Sequence, residues 1–168
     1  GQSYTNSIVE LRRVFPFRKW LLGAGKFRGS RLTQKADFSI SASQEEFAKA
    51  MKRLKCRMRG PPDQPALPSE ISSLKSVNGS GNWLASETRP DLASQVSLSQ
   101  QNLPTPTLGQ VRQAAAMIRR AKQFADLCWV IPAIKPERLM FLMNSDSSLH
   151  NATSTKGGTQ AGYLVGVA

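Results

Sequence analysis

Two-metal phosphoryl transfer needs several carboxylates converging on ions about 4 Å apart, because hard divalent cations prefer charged oxygen ligands. This chain has 11 acidic residues in 168 and no Asp-Asp pair. Beyond Glu137 one acid remains, Asp146, which can supply only part of such a site. From spacing alone Asp146 reads equally as a metal ligand and as an aspartate closing a strand or turn. His150, the sole histidine, has no cysteine nucleophile or carboxylate placed beside it and reads as a surface residue. Cys56 and Cys128 lack a second cysteine or histidine at metal spacing, so neither zinc nor a disulfide framework is suggested and reduced thiols are expected. Gly23-Ala24-Gly25 lacks the spacing of a dinucleotide fingerprint and reads as a turn, and no glycine-rich phosphate loop with its lysine is present. Asn78-Gly79-Ser80 and Asn151-Ala152-Thr153 satisfy the glycosylation sequon, a tripeptide common by chance.

The stronger chemical signal is charge. Lysine and arginine number 23, giving a net charge of +12 that favours polyanionic partners over cationic ones. Residues 1–59 hold 14 basic and 4 acidic side chains, a net +10, so the positive charge is concentrated in the first third. There Phe15, Phe17, Trp20 and Phe27 interleave with Arg12, Arg13, Arg18, Lys19, Lys26 and Arg28, with Arg31 close behind. Such a composition can stack bases while gripping phosphates, although aromatics leading into a hairpin also serve as core. A second set, Arg112, Arg119, Arg120 and Lys122, falls on one face of a helical pattern. It reads either as a track for a phosphate backbone or as a solvated face.

The elements that position these groups follow from periodicity and punctuation. Gly25 to Ala42 alternates with period two around a polar Lys35-Ala36-Asp37 break and predicts a β-hairpin, Phe27, Gly29, Arg31 and Thr33 on one side, then Phe38, Ile40 and Ala42. Ser43 to Glu46 matches a capping box, and Phe47, Met51, Leu54 and Met58 predict about four helical turns after it. The Gly60 to Pro68 stretch is rich in proline and predicts a linker. Ser69 then caps a helix carrying Ile71, Leu74, Val77, Gly81 and Leu84, ending near Arg89-Pro90. A shorter helix follows from Asp91 to about Gln101 with Leu92 and Val96 inward. Thr107 and Gln110 form a second capping box ahead of Leu108, Val111, Ala115, Ile118 and Ala125. From Leu139 an apolar strand runs into Asn144-Ser145-Asp146, a polar loop spans Ser147 to Thr159, and Gln160 to Ala168 returns as a second strand. No run of about 18 apolar residues offers a membrane span, and the Gly1-Gln2-Ser3 start suggests a piece of a longer chain.

Three stretches in order resemble the polymerase-to-ribonuclease region of copia-type long-terminal-repeat retrotransposon polyproteins. Phe15-Pro16-Phe17-Arg18-Lys19-Trp20, Gly25 to Gln34 and Gln44-Glu45-Glu46-Phe47 are similar to the segment after the polymerase palm. Asn78 to Ala85 followed by Thr88-Arg89-Pro90-Asp91-Leu92 is similar to the thumb or connection region. Asn144 to Ser148 with Gly158 to Leu164 resembles the opening hairpin of a ribonuclease H (RNase H) domain. Leu149-His150 stands where the family often shows a tryptophan, and Arg28 where a cysteine is frequent.

This resemblance implies an α+β chain: a post-palm β-hairpin and helix in 1–59, the Pro-rich linker in 60–68, a helical thumb- or connection-like region in 69–130 and a truncated RNase H-like hairpin in 131–168. It makes Asp146 the first carboxylate of an incomplete RNase H metal site that would use Mg2+ only in an intact parent, with no cofactor for the chain alone. The implied partners are primer–template or RNA–DNA hybrid and the missing palm and RNase H parts of the polyprotein, in the cytoplasm or nucleus, with no membrane. The contrasting expectation is a basic scaffold or protein-interaction module derived from such an element.

Overall fold

The computed structural model describes residues 2–148 and 160–167, so His150 and most of the polar loop expected over 147–159 lie outside the described residues. Helix α1 (Gln2–Val14) precedes three antiparallel strands, β1 (Ala24–Phe27), β2 (Ser30–Gln34) and β3 (Ile40–Ser43). The expected single hairpin is therefore two. Arg28 and Gly29 form the first turn at φ 48° and 79°, the left-handed pair that matches strand twist in a two-residue hairpin loop. Gly29 thus bends the chain and does not continue a strand. The second turn falls at the expected polar break, where the Asp37 carboxylate accepts from the Ser39 N–H at 3.0 Å and its hydroxyl at 2.6 Å. Phe38, read as part of the strand pattern with Ile40 and Ala42, sits exposed in this turn at φ 65°.

Helix α2 (Glu45–Ala50) stops well short of the four turns expected through Met58. Residues 51–57 instead run without helix along α3 (Pro68–Glu87), held by acceptors remote in sequence. The Lys55 N–H donates to Ser73 Oγ at 3.0 Å, and the Arg57 N–H to Glu70 Oε1 at 2.8 Å. The capping box at Ser43–Glu46 also resolves differently: Ser43 Oγ accepts from the Glu45 N–H at 3.2 Å, while Glu46 bonds Lys26.

Helix α3 starts two residues earlier than expected, with Leu67 at the cap position and Pro68 first in the helix, where its missing N–H costs nothing. Glu70 reaches back to the Leu67 N–H at 2.8 Å, so Ser69 is not the cap. Leu74, Val77, Gly81 and Leu84 form the buried stripe, as the spacing predicts. Asn78 lies in that stripe, 2% exposed, and its Oδ1 accepts from Ser99 Oγ at 2.7 Å, so the first sequon is closed to glycosylation in the folded chain. A 3-10 turn (Pro90–Leu92) leads into α4 (Ala93–Gln101), which buries Val96 beside Leu92.

Helix α5 (Leu108–Gln123) has the predicted capping box: Gln110 N–H donates to Thr107 Oγ1 at 3.4 Å, and Thr107 N–H to Gln110 Oε1 at 2.8 Å. The Pro-rich stretch completes the cap. Leu108 N–H donates to Gln64 O at 2.8 Å and Gly109 N–H to Pro62 O at 2.7 Å. The N–H groups that begin a helix without intrahelical acceptors are thus filled by this segment, which is docked and not a free tether. Gly109 allows the approach, since a Cβ there would lie 3.0 Å from Pro62 O. Helices α3, α4 and α5 and the end of α2 enclose the core through Leu84, Leu92, Val96, Met117, Ile118 and Ala121.

Strand β4 (Trp129–Ile131) returns to pair with β3, giving the sheet order β1-β2-β3-β4. Residues 129–131 therefore join the sheet of the first 43 residues, a link across the boundary expected at 130. Strands β5 (Phe141–Ser148) and β6 (Gln160–Val167) pair in the expected antiparallel hairpin as a second, two-stranded sheet. The architecture is a mixed α and β fold with an antiparallel sheet, and no described helix is long and apolar enough to cross a membrane.

Candidate nucleic-acid interface

Arg18 and Lys19 lie in the irregular segment between α1 and β1, both exposed. The aromatics beside them are mostly surface and not core: Phe15 and Phe17 are about half exposed, with ring centroids 6.2 Å apart, and Trp20 meets Phe17 edge-on at 5.4 Å. The Arg12 guanidinium stands over the Trp20 ring at 5.3 Å, a cation–π contact that fixes charge beside the cluster. Arg28, at the tip of the β1–β2 turn, rests over Trp83 of α3 at 5.7 Å and so ties the hairpin to the helices.

Lys26 and Arg31 are direct cross-strand partners in the β1–β2 register. Like charges placed opposite each other repel, and Glu46 offsets them by pairing with Lys26. The Lys26 ammonium, by hydrogen bond and charge, with Arg31 adding to it, holds the Glu46 carboxyl below its usual range. Lys26 is accordingly engaged, whereas Arg31 has no carboxylate within ion-pair distance among the described residues.

The four basic residues of α5 separate into different jobs. Arg112 donates Nε to Arg57 O at 3.3 Å and Nη1 to Gly60 O at 3.1 Å, pinning the irregular segment to α5. Lys122 donates to Lys49 O at 3.1 Å. Arg120 lies 3.7 Å from Asp91, and Arg119 alone is exposed without a partner carboxylate among the described residues. What was read as one free face thus contributes Arg119, half-exposed Arg120 and the partly engaged Lys122, while Arg112 is structural.

Sequence reasoning missed the two arginines that matter most to the architecture. Glu70, 3% exposed, accepts from Arg57 Nε and Nη2, each at 3.1 Å, besides the two backbone N–H groups. The Arg57 guanidinium outweighs the opposing effect of burial and brings the Glu70 carboxyl from 4.5 down to about 2. Arg89, 2% exposed, clamps Asp91 through Nε at 2.7 Å and Nη2 at 2.9 Å, and donates Nη1 to Phe124 O at 2.6 Å at the end of α5. Thr88 donates to Gln44 Oε1 at 3.0 Å, and Pro90 opens the 3-10 turn. Each residue of the Thr-Arg-Pro-Asp stretch therefore has a packing role, with no ligand required to explain it.

Asp146 lies on β5 opposite Gly162 of β6. Among the described residues no group of three His, Cys, Asp or Glu lies together as a metal-ion site would require. Sequence reasoning also missed the groove between α5 and the irregular segment, of about 950 Å3, lined by Arg53, Leu54, Cys56 and Met58 on one wall. The helical reading of 47–58 concealed it, and the period-two alternation of Leu54, Cys56 and Met58 with Arg53, Lys55 and Arg57 is the signal that could have found it. No protein-family model, curated protein or solved structure matches this chain.

Proposed function

We propose that this chain is a section of a copia-type retrotransposon polyprotein that holds primer–template or RNA–DNA hybrid and catalyses no reaction on its own. In this reading residues 1–59 are the post-palm connector, 69–130 a thumb- or connection-like region and 131–168 the opening of an RNase H domain. The observation that carries it is unneutralised positive charge. Six of the 23 basic side chains pair with carboxylates among the described residues, and Arg12, Arg28, Arg112 and Lys122 are engaged by rings or backbone carbonyls, which still leaves most of the positive charge unneutralised. Arg18, Lys19, Arg31 and Arg119 are exposed, and the first two directly follow the exposed Phe15–Phe17 pair in the chain. Such scattered cations suit contact with phosphates and with A-like helix shape, which carries no base-reading code.

The test is anisotropy titration of a labelled RNA–DNA hybrid. About four phosphate contacts make the affinity fall about 100-fold between about 50 and 200 mM salt. Charge reversal of Arg18 and Lys19, or of Arg119, weakens binding and lowers that salt slope. Absence of binding at low salt refutes the proposal.

A further inference from the structure

The groove beside α5 has properties that phosphate binding does not call for. Its floor is apolar, built from Leu54, Cys56, Ala115 and Ile118, and Met58 stands 86% exposed at its edge. Arg53, Arg112, Arg119 and Lys122 line it, with no carboxylate and no aromatic ring among the lining residues. Single-stranded nucleic acid would find no stacking platform here, and a duplex backbone, being convex, has no use for an apolar trough. An amphipathic helix with acidic flanks matches both features, its apolar stripe meeting the floor and its carboxylates chiefly Arg53 and Arg119, since Arg112 and Lys122 already donate to backbone carbonyls.

The groove is also set before any partner arrives. Its irregular wall is pinned by Lys55 N–H to Ser73, by Arg57 to Glu70 and by Arg112 to the carbonyls of Arg57 and Gly60. A rigid wall removes much of the ordering cost that binding otherwise incurs. At about 1.5 Å rise per residue, the α5 stretch from Arg112 to Gln123 gives a length of about 16 Å, which is three turns of a docked helix.

We infer that this groove docks an acidic amphipathic helix of a partner protein, of about three turns, an activity that shares Arg119 with the proposed hybrid-binding surface and is told apart from it by Met58. The probe is a panel of labelled helical peptides with leucine at spacings of three and four and glutamate on both flanks, against a control panel with lysine in place of glutamate. Binding to the full chain is followed by anisotropy. The expected result is micromolar affinity for at least one acidic peptide, none for its lysine counterpart, and a loss of at least about tenfold in both Met58→Asp and Arg119→Glu. Met58 and Arg119 are exposed, so both variants keep the wild-type melting temperature. The inference is overturned if no acidic peptide binds, if the lysine panel binds equally, or if Met58→Asp leaves peptide affinity unchanged. It is also overturned if Met58→Asp weakens the RNA–DNA hybrid instead, which would give the groove to nucleic acid.

Discussion

Replacing Arg89 by methionine keeps most of the side-chain volume and removes every polar contact of the clamp. The Phe124 carbonyl loses a donor at 2.6 Å and the Ala121 carbonyl a longer one at 3.4 Å, both at the end of α5. Asp91 loses two charge-assisted bonds, but it is one-third exposed and keeps Arg120 at 3.7 Å, so water and that arginine recover part of the loss. Breaking a buried pair costs about 3–5 kcal/mol; with Asp91 partly solvated, the lower end applies, about 3 kcal/mol. Set against a total stability of about 5–15 kcal/mol, this removes a large share of the fold's margin. Urea denaturation at neutral pH should show an unfolding free energy lowered by that amount, read as a lower midpoint with an unchanged slope, and the melting temperature should fall by about 6–12 °C. Arg89→Lys should recover only part of the loss, because one ammonium cannot span two carboxylate oxygens and a carbonyl on the opposite side. A methionine variant destabilised by less than about 1 kcal/mol would refute the clamp as the joint between α3 and α5.

The Arg57–Glu70 pair predicts a pH dependence. Because the folded pKa of Glu70 lies below the ordinary value, its stabilisation is complete above about 4.5 and is lost as pH falls toward about 2; the shift corresponds to about 3 kcal/mol. Glu70→Gln should flatten the stability curve across that window, and an unchanged curve would exclude the pair as its source. Gly109→Ala should destabilise by about 1 kcal/mol, against the gain that alanine normally brings to a helix, because the new methyl group would press on Pro62 O; a stabilised variant in thermal melts would show that the Pro-rich segment is not seated there. Lys26→Met should let the Glu46 carboxyl titrate at higher pH, readable by side-chain NMR, and an unmoved titration would mean that the pair does not form in solution.

What could be read in the sequence was whatever its own neighbours decide. The Thr107–Gln110 box closes within four residues, and the stripes of α3 and α4 and the stop before Pro90 are equally local. Residues 51–58 defeated the same method because Phe47, Met51, Leu54 and Met58 keep helical spacing while the backbone finds its acceptors on Ser73 and Glu70. Arg28 concealed a turn because arginine at positive φ is unusual. Of the basic candidates, Arg18, Lys19, Arg31 and Arg119 are exposed as anticipated, but Lys26 and Arg112 have partners that only the tertiary structure supplies. A count of charges cannot distinguish a cation facing solvent from one bonded to a carbonyl about 50 residues away.

The late return of β4 to β3 shapes the order in which the molecule can assemble. Thr33 and Ser41 meet across about eight residues, whereas Ser41 and Val130 meet across about 90. Closing the longer loop from an unfolded chain costs about 2 kcal/mol more by polymer entropy, a penalty that shrinks once α3, α4 and α5 have packed and drawn its ends together. Loop entropy therefore predicts that the helices form first and that the fourth strand joins last. On opening it is the first to leave, so amide exchange should be faster at Trp129–Ile131 than in the helical core. Its departure would bare the edge of β3, and transient self-association through that edge is the hazard this chain carries whenever its sheet is briefly one strand short.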